Sequence, residues 1–188
     1  RRHTRYISVT GVQTCALPIL KTLANEFRAY FNEPIDIQLY ATPSGENGFS
    51  WHYDIEDVFV IQTQGTKEFY LKRNTVLPSP TTTEMQGVLF SQESDKGVLH
   101  CTLKAVDFLY IPSGWWHMAR ALTDSFHVSV GVKFTSGIDY LKDILAPLEK
   151  DIGWRRRLKV HNISSRNDQL NLLKNKLIQY LQDDSGGI

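Results

Sequence analysis

The chain has 188 residues, 41% hydrophobic and 22% charged, with 12 glycines and 7 prolines. This is the profile of about one globular domain able to bury its own core, and it excludes a collagen-like or disordered chain. Two cysteines exclude a disulfide scaffold. A balance of 21 basic against 20 acidic residues argues against a nucleic-acid coat, so no direct DNA binding is expected.

The opening stretch, RRHTRYISVTGVQTCALPI, resembles in one reading frame the translation of a sequencing-library adapter, with Tyr6, Ile7 and Ser8 falling on its index. It has no apolar region of the length a targeting peptide needs. Residues 1–19 are therefore set aside as an artefact, and the protein proper is expected to begin near Leu20 with its own N-terminus missing. Basic residues then fall to 18 against 20 acidic, and Cys101 is the one cysteine left. A reducing, cytoplasmic compartment is expected.

Lys21 to Phe31 is predicted as an amphipathic helix, with Leu23, Phe27 and Tyr30 or Phe31 on one face, ended by Pro34. Ile35 to Ala41 alternates apolar and polar residues, a half-buried strand. A loop follows over TPSGENG, 42–48. Trp51 to Asp54 reads as a short strand, Asp57 to Gln62 as another, and Glu68 to Lys72 as its return after a turn at Gly65. Residues 73–87 form an irregular excursion. Further strands are expected at Gly97 to Leu103, Asp107 to Ile111 and Ser125 to Phe134, with a Pro-Ser-Gly turn at 112–114. Many short strands with Gly and Pro turns indicate a sandwich or barrel. After Phe134, Ile138, Leu141, Leu145 and Leu148 recur at helical spacing, as do Leu170, Leu173, Leu177 and Leu181. Ser165 is the expected N-cap of the second helix. No run of about 18 apolar residues is present, so no membrane-spanning helix is expected.

The chemistry concentrates in WHYDIEDVFVIQTQGTK, 51–67. On a strand, His52 and Asp54 point to the same side. An imidazole and a carboxylate suit a divalent first-row metal, and His117, 63 residues beyond Asp54 in YIPSGWWHMA, would complete two histidines and a carboxylate with open positions left over. Zinc accepts the same three ligands, so they do not fix the metal. Hydrogen-bonded barrel histidines remain the plain alternative.

HYDIEDVFVIQTQGTKEFYL resembles the core of JmjC-type, cupin-fold 2-oxoglutarate oxygenases. It is most similar to bacterial cupin-like proteins related to ribosomal oxygenases and to the asparaginyl hydroxylase of the hypoxia pathway. The shared pattern is H-x-D, F-x-x-Q, a Gly turn and a basic residue thirteen after the Asp. Phe59, Gln62, Gly65 and Lys67 fill it. DFLYIPSGWWHMARALTDSFHVSVGV resembles the second histidine block. The resemblance covers residues 35–135 and implies a mainly β fold. That fold is a double-stranded β-helix (jelly-roll, cupin) barrel over 20–135, with a short N-terminal helix and C-terminal α-helices over 136–188.

It further implies that His52, Asp54 and His117 bind Fe(II) and are catalytic. Lys67 would pair with the distal carboxylate of 2-oxoglutarate, and Tyr40, twelve before His52, would help hold it. His127 and Ser129 share that face of the last strand as further cosubstrate contacts. Related enzymes often carry Asn where His127 stands, so its role is left between hydrogen bonding to a neighbouring site residue and simple packing. The implied activity consumes O2 and 2-oxoglutarate and hydroxylates a protein side chain, on a ribosomal protein by analogy. A small-metabolite oxygenase and a non-catalytic metal-binding cupin acting as an interaction or sensor module are the alternatives. A homodimer through the C-terminal helices is expected, with Leu145, Leu148, Leu173, Leu177 and Leu181 as contacts. In a monomer these leucines would cap the barrel instead.

Overall fold

A computed structural model describes residues 5–8, 17–94, 96–158 and 163–184. The chain divides into two compact units, Arg1–Phe134 and Thr135–Ile188. The first contains β1 (Arg5–Ser8), α1 (Leu17–Phe31), β2 (Ile35–Thr42), β3 (Asp57–Gln64), β4 (Lys67–Lys72), α2 (Gln86–Phe90), β5 (Leu99–Leu103), β6 (Phe108–Ile111), β7 (Trp116–Ala121) and β8 (Ser125–Val132). They build two antiparallel sheets, β1-β2-β8-β3-β6 and β5-β4-β7. This is the mainly β, double-stranded β-helix architecture expected. No helix among the described residues is long and apolar enough to cross a membrane.

The larger sheet has two different faces. Its outer face carries Ile37, Leu39, Phe59, Ile61, Val128 and Val130, which pack against Leu20, Leu23, Ala24 and Phe27 of α1. Its inner face supplies Val58 and Val60 to a core shared with Phe69, Leu71, Leu103 and Ile111. On β2 the residues between the apolar ones are polar, and Gln38 and Tyr40 line a cavity between the sheets. The apolar phase of this strand thus lies under the helix, and the polar phase faces the interior. Phe31, not Tyr30, completes the helical stripe. Phe31 meets Phe27, Phe59 and Phe134, while Tyr30 is 82% exposed.

The turn from β3 into β4 carries the chain from one sheet to the other at Gly65, whose φ is +73°. A Cβ there would stand 2.1 Å from the carbonyl oxygen of Asp124, so only glycine fits. The excursion after β4 is anchored by Glu93. Its carboxylate accepts from the backbone N–H groups of Thr75 (2.7 Å) and Val76 (3.1 Å), the Thr75 hydroxyl (2.6 Å) and Trp116 Nε1 (2.9 Å). It also lies 3.6 Å from Lys72 Nζ. Burial pushes this carboxyl up, but the hydrogen bonds from Thr75, Trp116 and Val76 outweigh it and hold it at about 2. Phe90, Trp51 and Tyr53 close around the fully buried Trp116.

Several sequence expectations are corrected. β7 was not anticipated: both faces of this strand are filled, His117 inward and Trp116 outward, so WHMARA shows no polar phase. Trp51 to Asp54 is not a strand. It makes one isolated bridge, His52 to His117, because the chain leaves the smaller sheet on either side of it. α1 starts at Leu17, four residues before the predicted Lys21. Arg5–Ser8 pairs with the edge of β2, a contact that needs only backbone groups and leaves the reading of residues 1–19 as it stands. The other residues of that segment, 1–4 and 9–16, lie outside the described ones. In the second unit, α3 (Gly137–Leu145) is closed by a capping box between Ser136 and Asp139. A 3-10 turn (Ala146–Lys150) and α4 (Ile152–Arg155) follow, then α5 (Ile163–Asp184). Ser165 therefore sits inside α5 and is not its N-cap.

If α1 holds the outer face as described, Phe27→Ala should cost about 2–4 kcal/mol in urea unfolding and Tyr30→Ala no more than about 0.5 kcal/mol. Equal losses would mean the helix is turned differently.

Candidate functional site

The cavity between the sheets opens to solvent. Apolar side chains, Val58, Val60, Phe69, Ile111 and Ala119, line part of it from both sheets. At one end His52, Asp54 and His117 each offer a ligand atom, all within 4.8 Å of one another. The two histidines are fixed by reciprocal backbone hydrogen bonds, His52 N–H to His117 O at 3.1 Å and His117 N–H to His52 O at 2.7 Å. Each ring is oriented by a carbonyl: His52 Nδ1 lies 2.8 Å from Ser50 O, and His117 Nδ1 lies 3.0 Å from Trp115 O. A carbonyl only accepts, so each Nδ1 donates, which leaves Nε2 as the atom that would meet a metal. His117 Nε2 faces Asp54 Oδ2 at 3.5 Å.

Burial first, then the neighbouring His117, pushes the His52 pKa down. Burial alone would raise Asp54, but its contact with His117 and the charges of both histidines hold it below its ordinary value. A neutral imidazole and an ionised carboxylate are the forms that bind metal. Octahedral neighbours on a metal with bonds near 2.0–2.2 Å stand about 3 Å apart. The donor set, gathered within 4.8 Å, is of the kind that holds a small divalent cation.

At the other end lies Lys67, 2% exposed. Its Nζ donates to Thr42 Oγ1 at 2.9 Å and sits 3.5 Å from His127 Nδ1. Burial pushes its pKa down to about 8. None of the ion pairs among the described residues includes Lys67. His127 stacks on Tyr40, with centroids 4.7 Å apart and planes 7° from parallel. Ser129, 7% exposed, lines the cavity next along β8.

All seven residues singled out from the sequence thus line one cavity. The Tyr40 hydroxyl, however, donates to Gln38 Oε1 at 2.5 Å, and Gln38 Nε2 donates to Asp36 Oδ2 at 2.7 Å. The hydroxyl bonded to Lys67 belongs to Thr42, which sequence reasoning missed although period two places it on Tyr40's face. Glu56 was also missed. It lines the cavity, and its carboxylate lies over Gly131, where a Cβ would meet Oε2 at 2.3 Å. Burial, then Asp36 and Asp54, push its pKa up. A glycine inside a strand was the available signal.

A sequence model of the JmjC domain matches residues 20–140. The bifunctional lysine-specific demethylase and histidyl-hydroxylase NO66 of Dictyostelium discoideum is 35% identical over 115 residues, 57% of this chain and 21% of that protein. Ribosomal oxygenase 1 of Gallus gallus is 32% identical over 139 residues, 69% of this chain and 23% of that protein. The chain therefore spans about a fifth to a quarter of these relatives. Among solved structures, Escherichia coli YcfD superposes with a TM-score of 0.57 at 22% identity, over 83% of this chain and 44% of that one. YcfD, a ribosomal oxygenase, in complex with cobalt and 2-oxoglutarate gives 0.54 at 21%, over 84% and 42%. At these identities the likeness shows the fold.

One Co(II) per chain is expected by calorimetry. His52→Ala, Asp54→Ala and His117→Ala should each weaken it by more than the roughly 10- to 100-fold typical of losing a supporting partner. Glu56→Gln should leave the stoichiometry unchanged. Wild-type affinity in any of the three alanine variants would dissolve the triad.

Proposed function

The chain belongs to the JmjC-domain family, and on that premise we propose that it is an Fe(II)- and 2-oxoglutarate-dependent oxygenase that hydroxylates a protein side chain. One observation carries the reading: a buried lysine with no carboxylate partner among the described ion pairs lines the same cavity as two histidines and an aspartate. Burying an unpaired cation costs free energy that a metal-binding module has no reason to spend. A dianionic cosubstrate supplies the missing countercharge.

In this reading His52, Asp54 and His117 hold Fe(II), and the metal with 2-oxoglutarate and O2 supplies the oxidising chemistry. The chain itself does the rest. The carbonyls of Ser50 and Trp115 orient the two imidazoles. Lys67 binds the distal carboxylate, with Thr42 holding the ammonium in place. The apolar lining keeps water from the space between, and Tyr40, His127 and Ser129 shape its polar side. A ribosomal protein is the proposed substrate, supported by relatives and neighbours described as ribosomal oxygenases. The free Cys101 suits a reducing cytoplasm, where we place the protein.

Turnover of 2-oxoglutarate to succinate with Fe(II), stimulated by ribosomal protein, tests the activity. The cosubstrate contact has a sharper signature. The ammonium is the form that binds, and the Lys67 pKa is lowered to about 8. Apparent affinity for 2-oxoglutarate should therefore be level below pH 8 and fall by up to about tenfold per unit above it. Lys67→Ala should weaken binding roughly 10- to 150-fold, the worth of about 1.5–3 kcal/mol, and lose that alkaline fall. Wild-type affinity in Lys67→Ala would remove Lys67 from the site.

We further propose a homodimer through the C-terminal helices. Leu145 and Leu181 are 43% and 37% exposed there, and Leu148, Leu173 and Leu177 are half-buried. Leu173→Glu with Leu177→Glu should yield a folded, metal-binding monomer by light scattering. A wild-type chain that is monomeric at high micromolar concentration would overturn the dimer.

A further inference from the structure

His127 is 5% exposed on β8, with Tyr40 opposite it on β2 and Gln62 opposite it on β3. Tyr40 stacks on one face of the ring at 4.7 Å, and Phe69 meets it edge-on at 6.0 Å. Nδ1 is 3.5 Å from Lys67 Nζ. An ammonium has three donors and no acceptor, so Nδ1 accepts and the ring is neutral, with its proton on Nε2. A protonated ring would set two cations against each other in a buried space. Burial, with Lys67 second, holds the His127 pKa at about 3.

A buried acceptor lies on the neighbouring strand. Gln62 is 0% exposed, its Nε2 donates to Gln64 O, and its Oε1 has no hydrogen-bond partner. It is the residue paired with His127 across the β3–β8 ladder. The other titratable groups facing this pair are Tyr40 on β2 and Lys67 itself on β4. β7 presents Ala121 opposite Lys67, which carries no charge.

Lys67 thus has one acceptor in Thr42 and a second in His127, and its third N–H is left for a ligand. We infer that His127 is a positioning residue: a neutral imidazole, held between Tyr40 and Gln62, whose Nδ1 aims the Lys67 ammonium into the cavity. The inference rests on the reading of Lys67 as the carboxylate partner of 2-oxoglutarate. It assigns this histidine a hydrogen-bonding task in place of simple packing. The atom that matters is the acceptor at the δ1 position, which an asparagine also carries.

Two variants separate the acceptor from the ring. His127→Asn keeps an acceptor at δ1 and loses the stack. His127→Phe keeps the stack and loses the acceptor, and His127→Leu replaces it if the phenylalanine variant does not fold. The first readout is the titration of the Lys67 ε-carbon, 13C-labelled and identified by loss of its signal in Lys67→Arg. An acceptor favours the charged lysine, so the midpoint should drop by about half a unit or more in His127→Phe and stay near the wild-type value in His127→Asn. The second is 2-oxoglutarate affinity by calorimetry with Co(II) bound. His127→Phe should weaken it roughly 3- to 12-fold, as for one lost hydrogen bond, and His127→Asn by less than about threefold. An unmoved midpoint and affinity in His127→Phe, or an equal loss in both variants, would overturn the assignment. If the wild type itself fails to bind 2-oxoglutarate, the cosubstrate reading falls, while the lysine midpoint still decides the pairing.

Discussion

The pleat of a β-strand sends successive side chains to opposite faces, and the first unit depends on β8 having two unlike faces. Val128 and Val130 point outward into the helix-covered cluster. His127, Ser129 and Gly131 point inward and line the cavity. A shift of one residue would put the valines into the cavity and the histidine under α1. Burial of the outer face therefore sets the register that presents the polar one. The stability of the outer cluster and the geometry of the cavity are two results of a single alignment between β2, β8 and β3.

Buried charge follows two solutions in this unit. Glu93 is saturated: four hydrogen bonds and Lys72 surround its carboxylate, and it ties the excursion after β4 to the back of β7. Its folded pKa lies below the ordinary value. The stability it contributes is therefore present above about pH 4.5 and is lost as pH falls towards 2. Lys67 is the opposite case, a cation with neutral neighbours and a depressed pKa. The folded chain holds it at a cost near neutral pH, a cost that lessens as pH rises through 8. One charge holds the fold together, and the other is left for a ligand to complete.

The fold class and the cavity-lining residues were legible because period two and the H-x-D to Lys67 spacing are local features. His52, Asp54 and Lys67 fall within sixteen residues. What was not legible depends on contacts distant in the chain. β7 hides because the excursion covers its outer face, so Trp116 gives no polar phase. The supposed strand at Trp51 to Asp54 has a single bridge partner, decided by where His117 lies. Glu93 reads as one more charge in a loop until Thr75, Trp116 and Lys72 arrive around it. The Tyr40 hydroxyl turns to Gln38, two residues back on the same face. The pattern places that face and shows neither this bond nor the one from Lys67 to Thr42.

The two histidines of the triad come from positions 65 residues apart, yet their spacing is set by a pair of peptide-to-peptide hydrogen bonds. Peptide groups are the same whatever side chain they bear. The gap between the rings is thus a property of the main chain, and the cavity wall can be rebuilt around it, enlarged, recharged or made more apolar, without respacing the two ligands. A lining residue such as Glu56 is free to be fitted to whatever enters, because the part of the site that cannot tolerate error is insulated from that choice.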